Sequence, residues 1–336
     1  MRLLKIFAPL VFLLLGACQS TPKCGPEIRA AFDVGSGSTK MKVAEINTCT
    51  QMIQKVVLEE QVKVDYRDAL EKNPEGVFTE KIQKDGLTAL EALKMQARAK
   101  GARKFTGIAT AAFRQAKNGE AFAKSIREKL GIPVRIISQN EEAMLGFNAV
   151  VVKERVAPTD LVVWDIGGGS QQMMALDEKS EPVIYYGNLA SVSFKNHVIA
   201  KIQKKDLAKV ESPNPLKKND VKKALAYIDG EVKNSVPENL RTKLVNARIF
   251  GIGGVLSKSV PRQVVEGVDL SQKNIQAAMD KRAGMTDAQI NDPYSATEIT
   301  NLLLVYGFMK NLNISNYSKT DVSLVDGLWL SEGIWQ

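Results

Sequence analysis

Apolar residues fall in two rhythms along this chain: short alternating or continuous blocks, and longer stretches with apolar positions three or four apart. The first rhythm predicts strands and the second helices. Ile28–Val34 reads as a strand, as does Met41–Ile46, where Met41, Val43 and Ile46 alternate imperfectly. Val56–Val64 reads as a third. Ile82, Leu87, Leu90 and Leu93 predict a helix over Thr79–Lys100, stopped at Gly101. A strand at Phe105–Ala109, a helix at Asn118–Leu130 closed by Gly131, a strand at Val134–Ile137 and a helix at Glu141–Lys153 follow. Beyond "RVAPTD" (155–160) the pattern restarts, with strands at Leu161–Ile166, Gln171–Leu176 and Val183–Tyr186. Helices are expected at Phe194–Lys204 and Pro215–Val232, a strand at Arg248–Gly251 and mostly helix over 271–313. A last strand is expected at Val322–Val325 and a last helix at Gly327–Ile334.

The restart repeats a loop. "FDVGSGSTKMKVAEI" from Phe32 returns as "WDIGGGSQQMMALDE" from Trp164. Each has an aromatic residue, Asp, a branched apolar residue and Gly, then Ser-Gly-Ser or Gly-Gly-Ser, polar residues and Met. A glycine-rich turn after a buried strand exposes backbone N–H groups with no side chain in the way, and such nests bind phosphate oxygens. "GSGSTK" lacks the Gly-Lys-Ser/Thr order of a P-loop, and neither copy has GxGxxG spacing. Each copy leads into a strand, whereas those motifs lead into a helix. One such turn is an ordinary tight hairpin; two, each led by Asp at the same offset, predict two similar domains that grip phosphate from both sides of a cleft. Gly35, Ser36, Gly37 and Ser38 form one candidate phosphate loop, and Gly167, Gly168, Gly169 and Ser170 the other. Asp33 and Asp165 stand where carboxylates can hold hydrated Mg²⁺ or Mn²⁺ near phosphate; turn formation is the other reading of each.

Composition narrows the picture. The chain has 336 residues, 44% of them hydrophobic, which suits two folded domains and excludes a disordered chain. Its formal charge of +9 suits a polyanionic partner. The basic runs "KIQKKDLAK" (201–209) and "LKKNDVKK" (216–223) read either as a track for a long polyanion or as solvated faces. The start, "MRLLKIFAPLVFLLLGACQS", has Arg2 and Lys5 before an apolar run from Ile6 to Leu15, the pattern of a secretory signal. Leu15-Gly16-Ala17-Cys18 resembles a bacterial lipobox, so residues 1–18 are read as a lipoprotein signal with Cys18 lipidated and 19–27 as a tether. A plain cleaved signal and an uncleaved anchor are the alternatives. Gln19 after Cys18 fits the outer-membrane pattern, and places the protein on the periplasmic side of a Gram-negative envelope.

Cys24 and Cys49 flank the first repeated segment. A hairpin turning near Gly37 sets positions 24 and 49 opposite each other, so a disulfide is expected there in an oxidising compartment. Two cysteines and the distant lone His197 make no zinc set.

Several segments together resemble the exopolyphosphatase and guanosine pentaphosphate phosphatase family of the actin-like ATPase superfamily. "FDVGSGS" and "VVWDIGGGS" are similar to its first two phosphate motifs. "ATAAFRQAKNGEAF" (109–122) resembles the segment with a phosphate-facing arginine, here Arg114. "ISQNEEAMLGF" (137–147) resembles the segment with the catalytic glutamate, here Glu142. "GIGGVLSKSV" (251–260) is similar to a third glycine motif, with Gly253 and Gly254, and "VDGLWLSEG" (325–333) to the C-terminal one. The resemblance implies an α/β fold of two actin-like (ribonuclease H-like) domains facing each other across a cleft, expected at 28–157 and 158–336. Two departures bear on the metal arrangement and on turnover. Gln172 stands where the family has a glutamate, and Gly37 where it has an asparagine.

The residues of the Glu142 segment admit a reading of their own. Ser138 and Glu141 have the spacing of a capping box, which gives Glu141 a structural role. Glu142 points elsewhere around the helix. It either complements the helix dipole or orients an attacking water; the resemblance implies the second. Arg114 is either a bidentate phosphate ligand or an ordinary surface arginine.

The chain is therefore expected to be an exopolyphosphatase-like hydrolase acting on inorganic polyphosphate, with Mg²⁺ or Mn²⁺, anchored to a membrane by lipid. No nucleic-acid partner is expected, and a homodimer is admitted. A polyphosphate-binding protein without turnover is the alternative, motivated by Gln172. A nucleotide-dependent kinase or ATPase of the wider superfamily ranks last.

Overall fold

The computed structural model describes residues 24–50, 53–265 and 267–329. The signal segment, Cys18, most of the tether and Trp335 lie outside these residues. Among the described residues no helix is long and apolar enough to cross a membrane.

Strands β1 (Pro26–Val34), β2 (Ser38–Asn47) and β3 (Ile53–Lys63) form an antiparallel meander, and β4 (Lys104–Ala109) and β5 (Val134–Ile136) add in parallel. The sheet order is β3-β2-β1-β4-β5. The same topology is then written again. Strands β6 (Leu161–Ile166), β7 (Gln171–Leu176) and β8 (Pro182–Gly187) form the second meander, and β9 (Arg248–Ile252) pairs in parallel with β6. Here β10 (Leu270–Ser271) and β11 (Asn316–Lys319) complete the order β10-β11-β9-β6-β7-β8.

Helices cover the outer face of each sheet. In the first half these are α1 (Tyr66–Lys72), α2 (Glu80–Ala99), the short α3 (Ala111–Gln115) and α4 (Gly119–Leu130). Thr79 caps α2, and Gly131 closes α4 at φ +61°. After α5 (Gln139–Glu154), the second half carries α6 (Ser191–His197), α7 (Lys218–Ser235) and α8 (Glu238–Leu244). Then come α9 (Val260–Gln263), α10 (Gln272–Arg282), α11 (Asp287–Ile290) and α12 (Ser295–Asn311). The last element, α13 (Leu324–Leu328), does not stay with the second sheet. It packs with Trp329 on α5 and on Ala31, Ala44 and Ile108 of the first sheet. The other side of α5, through Phe147 and Val150, packs on Val163 and Met174 of the second sheet. The α5–α13 pair therefore fills the space between the two sheets.

Side-chain alternation on the strands now fixes the site. Ala30, Phe32 and Val34 enter the outer core of the first half, and Ala31 enters the inner one. Val162, Trp164 and Ile166 enter the outer core of the second half, and Val163 the inner one. Asp33 and Asp165 share the inner parity, so both carboxylates point toward the space between the halves.

The strand expected at Val322–Val325 is corrected. Asn316–Lys319 is the strand, and Leu324 begins α13. The apolar block belongs to a helix start: Asp326 accepts hydrogen bonds from the Ser323 N–H at 2.8 Å and from its hydroxyl, and it pairs with Lys42 at 2.7 Å. The first hairpin pairs Pro26 with Asn47 through to Val34 with Thr39, a register that carries Cys24 to Cys49. A disulfide joins them, with Cα atoms 5.4 Å apart.

Candidate active site

The two glycine turns have one geometry. In the first the Gly35 N–H donates to Ser38 O at 3.0 Å; in the second the Gly167 N–H donates to Ser170 O at 3.0 Å. Each turn is also held by a helix that follows its meander. The Arg67 N–H of α1 donates to Ser36 O, and the Ser191 and Val192 N–H groups of α6 donate to Gly167 O and Gly168 O. The turns meet tip to tip. A Cβ on Gly168 would lie 3.1 Å from Gly37 N, and one on Gly169 2.8 Å from Ser36 Oγ, so side chains there would force the turns apart. The helices behind them meet as well: Lys195 of α6 binds Asp68 of α1 at 2.8 Å, and Asn196 binds Glu71 at 2.5 Å.

Between the halves lies a cavity of about 380 Å³. Both turns, Asp33, Asp165, Glu142 and the Gly253-Gly254 pair line it. All the candidate catalytic, phosphate and metal residues named from the sequence therefore converge, except that Arg114 stands just behind the wall. Gly253 has φ +77°, and a Cβ there would meet Asp165 Oδ1 at 2.2 Å. Only glycine can pass the third motif beside this carboxylate.

Glu142 is the hub. The capping box forms as the spacing predicted: the Glu141 N–H donates to Ser138 Oγ, and the Glu141 carboxylate accepts from the Ser138 N–H. That fixes the start of α5 and turns Glu142, the next residue, into the interior, where it is 5% exposed. Arg114 Nη1 donates to Glu142 Oε2 at 2.7 Å and also to Ile137 O at 2.8 Å. Across the cleft, Ser170 Oγ donates to Glu142 Oε1 at 3.4 Å, and Arg114 Nη2 lies 3.4 Å from Ser170 Oγ. Burial pushes the Glu142 carboxyl up to about 7, against the pull of Arg114 and aided by the negative charge of Asp165 and Asp33. Burial likewise raises Asp165 to about 6, with Lys40 opposing and Asp33 adding to the rise. Asp33 is raised by burial and held down in part by Lys40.

Lys40 was missed in the sequence. It stands directly opposite Asp33 in the hairpin, its Nζ 3.7 Å from the carboxylate, and it lines the cavity. The hairpin register was the available signal, since the turn that aligns the cysteines also sets position 40 beside position 33. The equivalent place in the second hairpin, opposite Asp165, is Gln172. It is 1% exposed, and its Nε2 and Oε1 have no hydrogen-bond partner among the described residues.

The donor set fits a hard divalent cation that keeps most of its own ligands. Asp33 Oδ1 is buried without a partner among the described residues, and Asp33 and Asp165 line the cavity from opposite sheets. No cluster of three or more His, Cys, Asp or Glu side chains able to hold a metal occurs among the described residues. Two carboxylates with water and substrate oxygens suit Mg²⁺, which seldom uses an all-protein cage.

A family model, the Ppx/GppA phosphatase family, matches residues 42–287. The chain belongs to the Ppx/GppA phosphatase family. Solved structures agree at the level of fold. An Aquifex aeolicus PPX-GPPA enzyme aligns over 92% of this chain and 100% of its own, with a TM-score of 0.67 and 18% identity. An exopolyphosphatase-like protein covers 91% of this chain and 97% of its own at TM-score 0.72 and 19% identity. A Cytophaga hutchinsonii exopolyphosphatase covers 90% and 97% at TM-score 0.69 and 15% identity. The two sheets of repeated topology are the two-domain actin-like fold of Ppx/GppA proteins, as the motifs implied, and the family is one of phosphohydrolases.

Proposed function

We propose that this protein is an exopolyphosphatase-like hydrolase that releases terminal phosphate from inorganic polyphosphate. One observation carries the reading: the buried Glu142 is held by Arg114 from its own half and by Ser170 of the opposite phosphate turn. The chain end would lie between the two turns, its oxygens taken by backbone N–H groups and by Arg114. Glu142 would orient a water in line with phosphorus and accept its proton, which suits a carboxyl whose protonation changes near pH 7. Catalysis would rest on positioning and electrostatics, as phosphoryl transfer generally does. Asp33 and Asp165 would hold Mg²⁺ or Mn²⁺, which when bound would neutralise phosphate charge. Lipidation at Cys18 would keep the cleft on the periplasmic side of the outer membrane.

Gln172 supports a second reading, a polyphosphate-binding lipoprotein without turnover. A neutral amide occupies the position paired with Asp165, where the family motif has an acid. The deciding experiment is phosphate release from long-chain polyphosphate with Mg²⁺ or Mn²⁺, by the full chain and by Glu142→Gln. Release that disappears in the variant establishes the hydrolase. Binding without release from either establishes the second reading.

A further inference from the structure

The net charge of this chain is concentrated. Residues 201–223 hold eight lysines and three acids, a net +5 out of the chain's formal +9. All eight lysines are exposed. The three acids already have partners: Asp206 pairs with Lys209 at 3.8 Å, Glu211 lies 3.8 Å from Lys72, and Asp220 accepts from the Lys217 N–H at the start of α7. Apart from Lys209, none of these lysines has an ion-pair partner among the described residues.

The fold gathers the two basic runs onto one surface. Gln203 donates to Asp220, which ties the first run to the start of α7. His197, at the end of α6, stacks on Tyr227 of α7 with ring centroids 3.7 Å apart and planes 16° from parallel. Lys201 and Lys204 both lower the His197 pKa, with burial the larger cause, so their charges stand close to this ring pair. Lys223 is one helical turn before the exposed Tyr227 and shares its face.

This surface is wired to the site. Helix α6 starts at the second phosphate turn, where Ser191 and Val192 donate to Gly167 O and Gly168 O. Its Lys195 lines the cavity, and it continues into a wider turn over Val198–Ile202 that delivers Lys201 to the surface. From Ser191 to Lys204 the path is roughly 20 Å at a helical rise. Glu211, between the two basic runs, returns to the cavity wall.

We infer that this lysine surface is a second polyanion site, which holds the trailing part of a polyphosphate chain whose end is in the cleft. The inference rests on the polyphosphate reading above. Charge density without base-reading geometry suits a uniform phosphate chain, and contiguity with the phosphate turn favours the substrate over a separate partner. Short substrates end before they reach the surface; long ones gain electrostatic binding along it.

The test compares the full chain with Lys201→Gln/Lys204→Gln/Lys205→Gln/Lys223→Gln. A control of equal charge removes lysines on the first half, Lys81→Gln/Lys84→Gln/Lys124→Gln/Lys129→Gln. Phosphate release is followed from tripolyphosphate and from long-chain polyphosphate at low and moderate salt. Calorimetry with long-chain polyphosphate in a Glu142→Gln background reads binding without turnover. The expected result is a roughly tenfold rise in KM, and the same loss of affinity, for the long chain alone. kcat, tripolyphosphate turnover and the control stay within about twofold, and the salt dependence of long-chain binding weakens. An unchanged long-chain affinity, or equal losses for both substrates, overturns the inference. So does a variant that loses binding only to anionic phospholipid vesicles or to duplex DNA, since the surface would then serve a membrane or a nucleic acid. A wild-type chain that binds long polyphosphate through these lysines but releases nothing would sink the hydrolase reading and leave this one standing.

Discussion

Arg114 and Glu142 meet at 2.7 Å although 28 positions separate them, and Ser170 of the opposite half touches both groups. The carboxylate side chain is 6% exposed and the guanidinium side chain 19%. One guanidinium nitrogen, Nη1, holds the Glu142 carboxylate, and the other, Nη2, faces Ser170 of the second glycine turn.

Loss of either member should therefore cost turnover through the same step. Glu142→Gln is expected to lower kcat by roughly 10²–10⁴, the usual worth of a positioned base. Arg114→Ala is expected to lower kcat/KM by about 10²–10³. Because the two act as a unit, the double variant should fall well short of the product of the single losses. Initial rates of phosphate release measure all three; additive losses would mean that the two residues act independently.

The raised Glu142 pKa makes a stability prediction. The folded carboxyl titrates near 7 and the unfolded one near 4.5. A proton is thus bound more tightly by the folded chain, and the associated stability is present below pH 4.5 and is lost as pH rises to about 7. In chelating buffer, unfolding by denaturant should show a folded state weaker at pH 8 than at pH 5. Glu142→Gln should reduce this difference by an amount on the order of 2–3 kcal/mol. A slope that survives the substitution unchanged would assign the effect to Asp165 and Asp33 instead.

Gln172→Glu places an acid beside Asp165 and returns the family's residue to the second hairpin. Without metal this fourth buried carboxylate, after Asp33, Glu142 and Asp165, should lower the melting temperature. With Mg²⁺ the loss should be recovered, and the metal concentration for half-maximal release should fall roughly tenfold. Calorimetric metal titration of the variant beside the wild type reads the same change without turnover. Equal metal affinities would show that Gln172 lies outside the cation's reach.

The glycine motif at the end of β9 provides a contrast within one dipeptide. Gly253→Ala must fit a Cβ at positive φ against Asp165 Oδ1 and Ile166 O, whereas nothing lies within 4 Å of a Cβ on Gly254. Gly253→Ala is expected to cost about 2 kcal/mol or more in stability and to abolish phosphate binding, and Gly254→Ala less than about 1 kcal/mol. Thermal unfolding and phosphate calorimetry of the two variants separate these outcomes.

What the sequence determined by itself was local. Strand alternation put Asp33 and Asp165 on a common parity, the turn near Gly37 set Cys24 opposite Cys49, and the Ser138–Glu141 box aimed Glu142 away from its own helix start. Each follows from contacts within one element or one hairpin, where spacing alone decides which groups meet. The tertiary structure decided the rest. Lys195 reaches Asp68 across 127 positions, and Lys42 reaches Asp326 across 284. The chain end returns to the first sheet as α13, so the apolar block at Val322–Val325 serves a helix rather than a strand. Such pairings depend on how two sheets and the helices between them pack. A long-range contact has no periodicity or cap to announce it, because its partner's position is fixed only when the whole core closes.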